Sequence, residues 1–268
     1  MARVNILGVE ISAVSMQEAV HQTDALLQSG SSGYICVTGV HGIIESQDDE
    51  SFRRILNSSF LTTPDGMPTV WLGHWHGHKD MTRVYGPDFM LEICRLSVER
   101  GYRHFLYGGK PGVAQELGCR LRAQFPGLQI AGEYTPPFRP LTPEEDEELL
   151  LQITDCKPHV LWCGLSTPKQ ERFMAQYSSR LPVQLMVGVG AAFDIHSGCA
   201  KDAPSWIKRS GLQWLYRMLQ EPRRLAGRYL RNNPRFVWLC LQQLTGLAKY
   251  PRLAPVTEDE SVESSWVG

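Results

Sequence analysis

His159-Val160-Leu161-Trp162-Cys163-Gly164-Leu165-Ser166-Thr167-Pro168-Lys169-Gln170-Glu171 decides how the chain is read. An apolar run passes into a Gly-Leu-Ser-Thr-Pro turn and then a polar, amphipathic stretch, the pattern of a buried strand, a tight loop and a helix. In open α/β sheets such loops lie at the carboxyl ends of the strands, where helix N-termini offer unpaired N–H groups to anionic or polar ligands. The same letters have a plainer reading. With Thr167 as N-cap, Pro168 at N1 and Gln170 at N3 they spell a capping box, in which Gln170 closes its own helix.

Outward from this stretch the rhythm repeats. Val4 to Ile11 reads as a strand or short hairpin, and Ser15-Met16-Gln17-Glu18 as a capping box opening a helix to about Gln28. Short apolar strands follow at Tyr34–Val37, Phe60–Thr63, Tyr102–Tyr107, Leu128–Ala131 and Val183–Val189, with helical segments between them. Strands alternating with helices predict an α/β fold, a Rossmann-like, mostly parallel sheet flanked by helices. From Pro204 the texture changes to helices alone, punctuated by Pro222 and Pro234. The expected organisation is an α/β nucleotide-sugar-type body over 1–200, a basic helical appendage over 201–250 and a disordered acidic tail over 251–268.

Charge supports that partition. The net charge is −1, yet residues 201–252 hold eleven Lys/Arg against only Asp202 and Glu221. A basic, aromatic-rich segment between acidic neighbours suggests a polyanionic partner: a nucleotide diphosphate, an anionic membrane or nucleic acid. Arg217, Arg224, Arg228, Arg231 and Arg235 fall near one helical stripe if Pro222 breaks the helix only gently. No secretory pattern opens the chain, and the apolar run Phe236–Leu241 is too short to span a bilayer. Seven cysteines without a CxxC pair read as reduced core thiols.

Several loops carry candidate ligand contacts. Thr38-Gly39-Val40-His41-Gly42 follows the Tyr34–Val37 strand, and Thr38 sits where either a ligand-facing residue or an ordinary N-cap belongs. Thr63-Pro64-Asp65-Gly66 ends the next strand, where Asp65 is equally good turn chemistry. Tyr107-Gly108-Gly109-Lys110-Pro111-Gly112 resembles a phosphate cradle but is neither GxGxxG nor a P-loop. Tyr134, in a proline-rich loop, can stack a pyrimidine or plug the loop against the core. His74-Trp75-His76-Gly77-His78 lacks a fourth, tetrahedral partner and is not read as a metal site.

Taken with Val187-Gly188-Val189-Gly190-Ala191-Ala192-Phe193-Asp194, Ala203-Pro204-Ser205-Trp206, Gln213-Trp214-Leu215-Tyr216-Arg217 and Glu221-Pro222-Arg223-Arg224, this ordered set resembles the WecG/TagA/CpsF family of bacterial glycosyltransferases. The likeness covers roughly residues 34 to 236. It implies an inverting transferase moving a sugar from a UDP-sugar to a polyprenyl-diphosphate-linked saccharide in cell-surface polysaccharide synthesis. Asp65 falls on the family's general base. Arg83, just before Gly86-Pro87-Asp88, falls near the donor pocket, Gln170 and Glu171 on the donor sugar or phosphate region, and Asp194 and Tyr134 on the uracil.

Such a transfer needs a base for the acceptor hydroxyl and something to bear the charge on the departing diphosphate. The chain has no Asp-x-Asp motif for a divalent ion, so no metal and no cofactor are expected, and Arg217, Arg224 and Arg228 are the expected bearers of that charge. Binding contacts are further expected from Thr38, His41, Arg83, Tyr107, Gly108 and Gly109. A lipid-bound acceptor implies attachment to the anionic cytoplasmic face of the inner membrane through the basic helices, with a homo-oligomer left open and no nucleic acid as partner.

Departures from the family pattern are Val40 where an asparagine is usual, with His41 as its substitute, Asp202 within Lys201-Asp202-Ala203-Pro204, and Gly227. Two rivals remain at this stage. A nucleotide-sugar oxidoreductase lacks its dinucleotide fingerprint here, and a non-enzymatic nucleotide- or lipid-binding scaffold explains the charge but not Asp65 and Gln170 together.

Overall fold

The computed structural model of the protein describes residues 1–253. The stretch read as a disordered tail lies, from residue 254 onward, outside the described residues. In chain order the elements begin with β1 (Arg3–Ile6), β2 (Val9–Ser12), α1 (Met16–Ser29), β3 (Gly33–Thr38), α2 (Val40–Asp48), α3 (Glu50–Ser58) and β4 (Leu61–Pro64). Next come α4 (Met67–Trp75), α5 (Gly86–Arg100), β5 (Arg103–Gly108), α6 (Val113–Gln124), β6 (Gln129–Tyr134) and α7 (Pro143–Cys156). The chain continues through β7 (Val160–Gly164), α8 (Lys169–Tyr177), β8 (Leu185–Gly188), α9 (Ala192–His196), α10 (Ser205–Ser210), α11 (Gln213–Gln220) and α12 (Pro222–Leu244).

A six-stranded sheet runs in the order β4-β3-β8-β7-β5-β6, and the registers of β3 with β8, β8 with β7, β7 with β5 and β5 with β6 are parallel. The α/β fold with a parallel, helix-flanked sheet is therefore as the sequence predicts. Strands covered on both faces read as continuous apolar runs, which is why β7 and β8 are legible: Val160–Cys163 and Leu185–Gly188 are all buried. β6, at the edge, has no fully buried residue and reads least clearly.

The chain divides into two compact units. One comprises Met1–Ala19, Val37–Tyr85 and the described part of the segment from Lys201; the other comprises Val20–Cys36 and Gly86–Ala200.

In the first unit β1 and β2 form an antiparallel hairpin whose two turn residues, Leu7 (φ 53°) and Gly8 (φ 84°), both have positive φ, as the turns that match strand twist require. Its apolar side chains Ile6, Val9 and Ile11 are buried, as are Phe52, Leu56 and Leu61 of the same unit. Each such burial is worth about 1.5–3 kcal/mol. The C-terminal segment is stitched to this hairpin. Gln243 accepts from the Leu7 N–H at 3.0 Å and donates to the Asn5 carbonyl at 3.0 Å, Asn5 donates to the Tyr250 carbonyl at 2.9 Å, and Arg252 pairs with buried Glu10 at 2.8 Å.

Pro234 does not end α12 but lies inside it. The carbonyl it leaves without a helical partner is that of Leu230, a residue 67% exposed, so water can serve it. Pro222 does separate α11 from α12, so Arg217 lies on a different helix from Arg224 and Arg228 and the single stripe is not formed. His74 falls on α4 rather than in a loop, and His74 and His76 each bond a backbone carbonyl, of Met81 and Leu72, at 2.8 Å.

In the second unit the core lies between the sheet and its helices, with Phe89, Phe105, Trp162 and Phe173 fully buried. Thr142 caps α7: Thr142 and Glu145 exchange both bonds of a capping box. β5, β7 and β8 all end in glycine. At Gly108 (φ 123°) a Cβ would stand 2.7 Å from the Gly164 carbonyl carbon, so only glycine lets the ends of β5 and β7 approach this closely.

Candidate active site

Within the first unit, β3 and β4 deliver Thr38 and Asp65 from their carboxyl ends, and the Asp65 N–H donates to the Thr38 carbonyl at 3.1 Å. The Thr38 and Thr63 hydroxyls are buried and have no hydrogen-bond partner among the described residues. A buried hydroxyl without a protein partner is one that a ligand or water can serve. The Asp65 side chain is about one-third exposed, and its Oδ1 lies 3.6 Å from Nη2 of Arg83, an ion-pair distance too long for a hydrogen bond.

Arg83 is held from several sides. Its Nε donates to the Asp65 main-chain carbonyl at 2.5 Å, its Nη2 donates to Oε1 of Gln213, and its guanidinium lies over the Tyr85 ring, 4.2 Å from the centroid. His41 is engaged as well: its Nδ1 is 2.9 Å from Nδ2 of buried Asn232 on α12 and 3.4 Å from Glu45. His41 is thereby tied to α12 rather than projecting as a free loop residue.

The arginines expected to carry charge share one neighbour in electrostatic range. Tyr229 interacts electrostatically with Arg217, Arg228, Asp65 and Arg224, and burial, foremost, pushes its phenol above the ordinary range. Arg217 and Arg224 also share Glu221, at 3.7 Å and 2.6 Å. Arg228 is half-buried and makes no hydrogen bond or ion pair with a described residue; burial first, and then the charge of Arg224, lower its proton affinity. A guanidinium held out of water beside another one is a site short of negative charge. Arg235, by contrast, is spent on a two-pronged pair with Asp48 at 2.5 and 2.6 Å.

The second unit brings together Gln170 and Glu171 on the first turn of α8. That helix begins at Lys169 with Pro168 as its cap, and the capping-box reading does not hold: Thr167 donates its hydroxyl to Glu171 Oε1 at 2.9 Å instead. Gln170 is buried and gives its amide N–H to the same carboxylate at 3.0 Å, which leaves its Oε1 without a partner among the described residues. Burial raises the Glu171 carboxyl above the usual carboxylate range, against the three hydrogen bonds that lower it. The glycine end of β8 makes room for this pair, since a Cβ on Gly188 would lie 3.0 Å from Gln170 Nε2 and 2.9 Å from Met174 Cε.

Tyr134 is the last residue of β6, not a loop residue, because β6 runs three residues further than its apolar letters suggest. Its ring stacks on Tyr107 at 5.9 Å, and Tyr107 stacks in turn on Phe173 at 4.2 Å. Tyr107 is thus part of the core, and Gly108 and Gly109 are the residues its strand offers to the loop. Asp194 lies in the first turn of α9, after fully buried Phe193. Sequence reasoning missed Tyr85, Gln213, Tyr229 and Asn232, each of which acts through partners too far along the chain for spacing to reveal.

The family described as "Glycosyl transferase WecG/TagA/CpsF family" matches residues 4–250. Two relatives are both described as N-acetylglucosaminyldiphosphoundecaprenol N-acetyl-beta-D-mannosaminyltransferase. The one from Bacillus subtilis (strain 168) is 30% identical over 175 residues, 65% of this chain and 66% of that protein. The one from Bacillus spizizenii is 27% identical over 241 residues, 90% of this chain and 91% of that protein. With a match over nearly the whole described chain, on a parallel α/β sheet whose strand ends carry these polar side chains, the chain belongs to the WecG/TagA/CpsF family of glycosyltransferases.

Proposed function

We propose that the protein transfers a sugar, with inversion, from a UDP-sugar to a polyprenyl-diphosphate-linked N-acetylglucosamine during synthesis of a cell-surface polysaccharide. The observation that carries this reading is the carboxylate of Asp65 with Arg83 at 3.6 Å, in electrostatic range of the same Tyr229 as Arg217, Arg224 and Arg228. Asp65 takes the proton from the acceptor hydroxyl. The hydroxyl oxygen forms its bond to the anomeric carbon as the bond from that carbon to the β-phosphate oxygen breaks, and the electron pair leaves on UDP. Arg217, Arg224 and Arg228 bear the growing charge on that diphosphate, a task that guanidinium forks perform without a divalent ion. Gln170, Glu171, Asp194, Tyr134 and the Gly108-Gly109 strand end bind the donor. Thr38 and His41 line the acceptor side.

The acceptor's chain keeps it in the bilayer, so the enzyme works on the anionic cytoplasmic face of the inner membrane. No helix among the described residues is long and apolar enough to cross a membrane. Exposed Trp206 on α10, Leu219 on α11, and Leu230 and Trp238 on α12, in a segment rich in arginine, suit attachment at the headgroups. A shallow apolar groove of about 510 Å³ lined by Trp214, Tyr229, Pro234, Val237 and Leu241 extends that surface.

The test is mass spectrometry of a synthetic polyprenyl-diphosphate N-acetylglucosamine incubated with a panel of UDP-sugars, UDP-N-acetylmannosamine first, with and without EDTA. A mass increment of one sugar that survives chelation is expected. Transfer that needs a restored divalent ion would overturn the charge-bearing role of the arginines.

A further inference from the structure

Asp202 and Gln213 are assigned no contact with either substrate, yet they close a ring of polar contacts around Arg83. Asp202 Oδ1 accepts from the Tyr85 hydroxyl at 3.0 Å and from the Ala203 N–H at 2.7 Å, and Gln213 Nε2 lies 3.5 Å from the same oxygen. Asp202 Oδ2 pairs with Lys208 at 2.7 Å, and the Lys208 ammonium also lies 5.0 Å from the Tyr85 ring centroid. Gln213 Oε1 accepts from Arg83, whose guanidinium rests on the Tyr85 ring. The circuit therefore runs from Asp202 to Tyr85, across the ring face to Arg83, on to Gln213 and back to Asp202.

Resting on the reading of Asp65 as base, we propose that Asp202 and Gln213 are positioning residues that aim Arg83 at Asp65. Arg83 has several rotatable bonds, and one contact does not fix its orientation. Here the Tyr85 face sets its plane and Gln213 sets its turn about that plane, so that Nε meets the Asp65 carbonyl while Nη2 stays 3.6 Å from Oδ1. Tyr85 in turn is fixed by Asp202. Burial first, and then the charges of Asp202 and Asp65, push its phenol far above the ordinary range, so it remains a donor at any working pH.

If the ring served only to fasten residues 201–213 to residues 83–85, well-packed apolar side chains would fasten them at least as well. What a polar ring adds is a set direction for a guanidinium beside the base. Among the charged or titratable groups interacting with Asp65 are Arg83, Tyr85 and Tyr229. Of these, Arg83 alone favours its ionised form.

The test uses the whole chain carrying Gln213→Met, which keeps shape but cannot accept from Arg83, Asp202→Ala, and Asp202→Asn as the conservative replacement. Thermal unfolding first verifies that each is folded. With UDP-N-acetylmannosamine and the synthetic lipid acceptor, the first two should lose about 10- to 100-fold in kcat. Donor KM should stay within about twofold. The acid limb of the rate profile should move to higher pH, because a carboxylate that loses a cation holds its proton more tightly. Asp202→Asn, which still accepts from the Tyr85 hydroxyl, should recover most of the rate lost in Asp202→Ala. Folded variants with wild-type kcat and an unmoved acid limb would overturn the proposal.

A second readout needs no substrate. The Arg83 Nε–H resonance in ¹⁵N spectra, assigned by its loss in Arg83→Lys, should persist in the wild type and exchange faster in Gln213→Met and Asp202→Ala. Equal protection in all three would also overturn it. Absence of sugar transfer by the wild type would instead count against the transferase reading, while the resonance still decides whether the ring holds Arg83.

Discussion

Nε of Arg83 donates to the main-chain carbonyl of Asp65, while Nη2 of the same guanidinium stands 3.6 Å from the Asp65 carboxylate. One arginine thus fixes the backbone that carries the carboxylate and favours that carboxylate's charged form. A general base needs both a settled position and a free lone pair.

Replacing the carboxylate while keeping its shape should separate chemistry from binding. Asp65→Asn is expected to lower kcat by about 10²- to 10⁴-fold, the span of a lost general base. UDP affinity measured by isothermal titration should change little. A folded Asp65→Asn enzyme with near wild-type kcat would remove the base from the scheme.

Arg228 tests whether the forked guanidinium matters beyond its charge. Arg228→Met should lower kcat by about 10²- to 10³-fold, as expected for one lost charge-stabilising donor. Arg228→Lys should recover only part of that, since a point charge cannot make the paired bonds of a guanidinium. Steady-state kinetics with varied donor would show it, and full rescue by lysine would deny any need for the fork.

His104 gives a prediction about stability. It is fully buried, accepts from Trp162 Nε1 at 2.7 Å, and burial lowers its pKa to about 3. Because the folded value lies below the unfolded one of about 6.5, the unfolded chain binds more protons between the two, and stability falls as pH drops through that window. From pH 7 to pH 5 the loss from this one group should approach about 2 kcal/mol. Urea unfolding at the two pH values would measure it. His104→Gln should flatten that slope, and an equally steep slope in the variant would assign the effect elsewhere.

Membrane attachment can be tested apart from catalysis. Trp206 and Trp238 are 65% and 61% exposed. The double replacement Trp206→Ser, Trp238→Ser should reduce co-sedimentation with phosphatidylglycerol vesicles while leaving the thermal midpoint near that of the wild type. Binding that is insensitive both to this change and to added salt would point to a different surface.

Legibility in the sequence followed physical range. β7 and β8 are readable because strands buried on both faces must be apolar throughout, and the Ser15 cap because its bond to the Glu18 N–H spans only three residues. Tyr134 was misplaced because an edge strand can continue through polar letters once its neighbour supplies the register. Gln170 looked like a cap, but its amide turns to Glu171, a choice fixed by packing around α8. Asp65, Gln170 and the arginines are singled out by the family pattern, not by spacing alone. The circuit through Asp202 and Gln213 joins residues 11 to 130 positions apart, where neither periodicity nor motif spacing carries information.

The stitching of Gln243, Tyr250 and Arg252 to the β1–β2 hairpin makes the first ten residues depend on the last described ones. Trimming the far end would strand the buried Glu10 carboxylate without its counter-ion and leave the Leu7 amide looking for water. Loss of catalysis after such a cut would then report loosening of the opening hairpin as much as removal of cationic side chains, and single-residue replacements are the cleaner instrument.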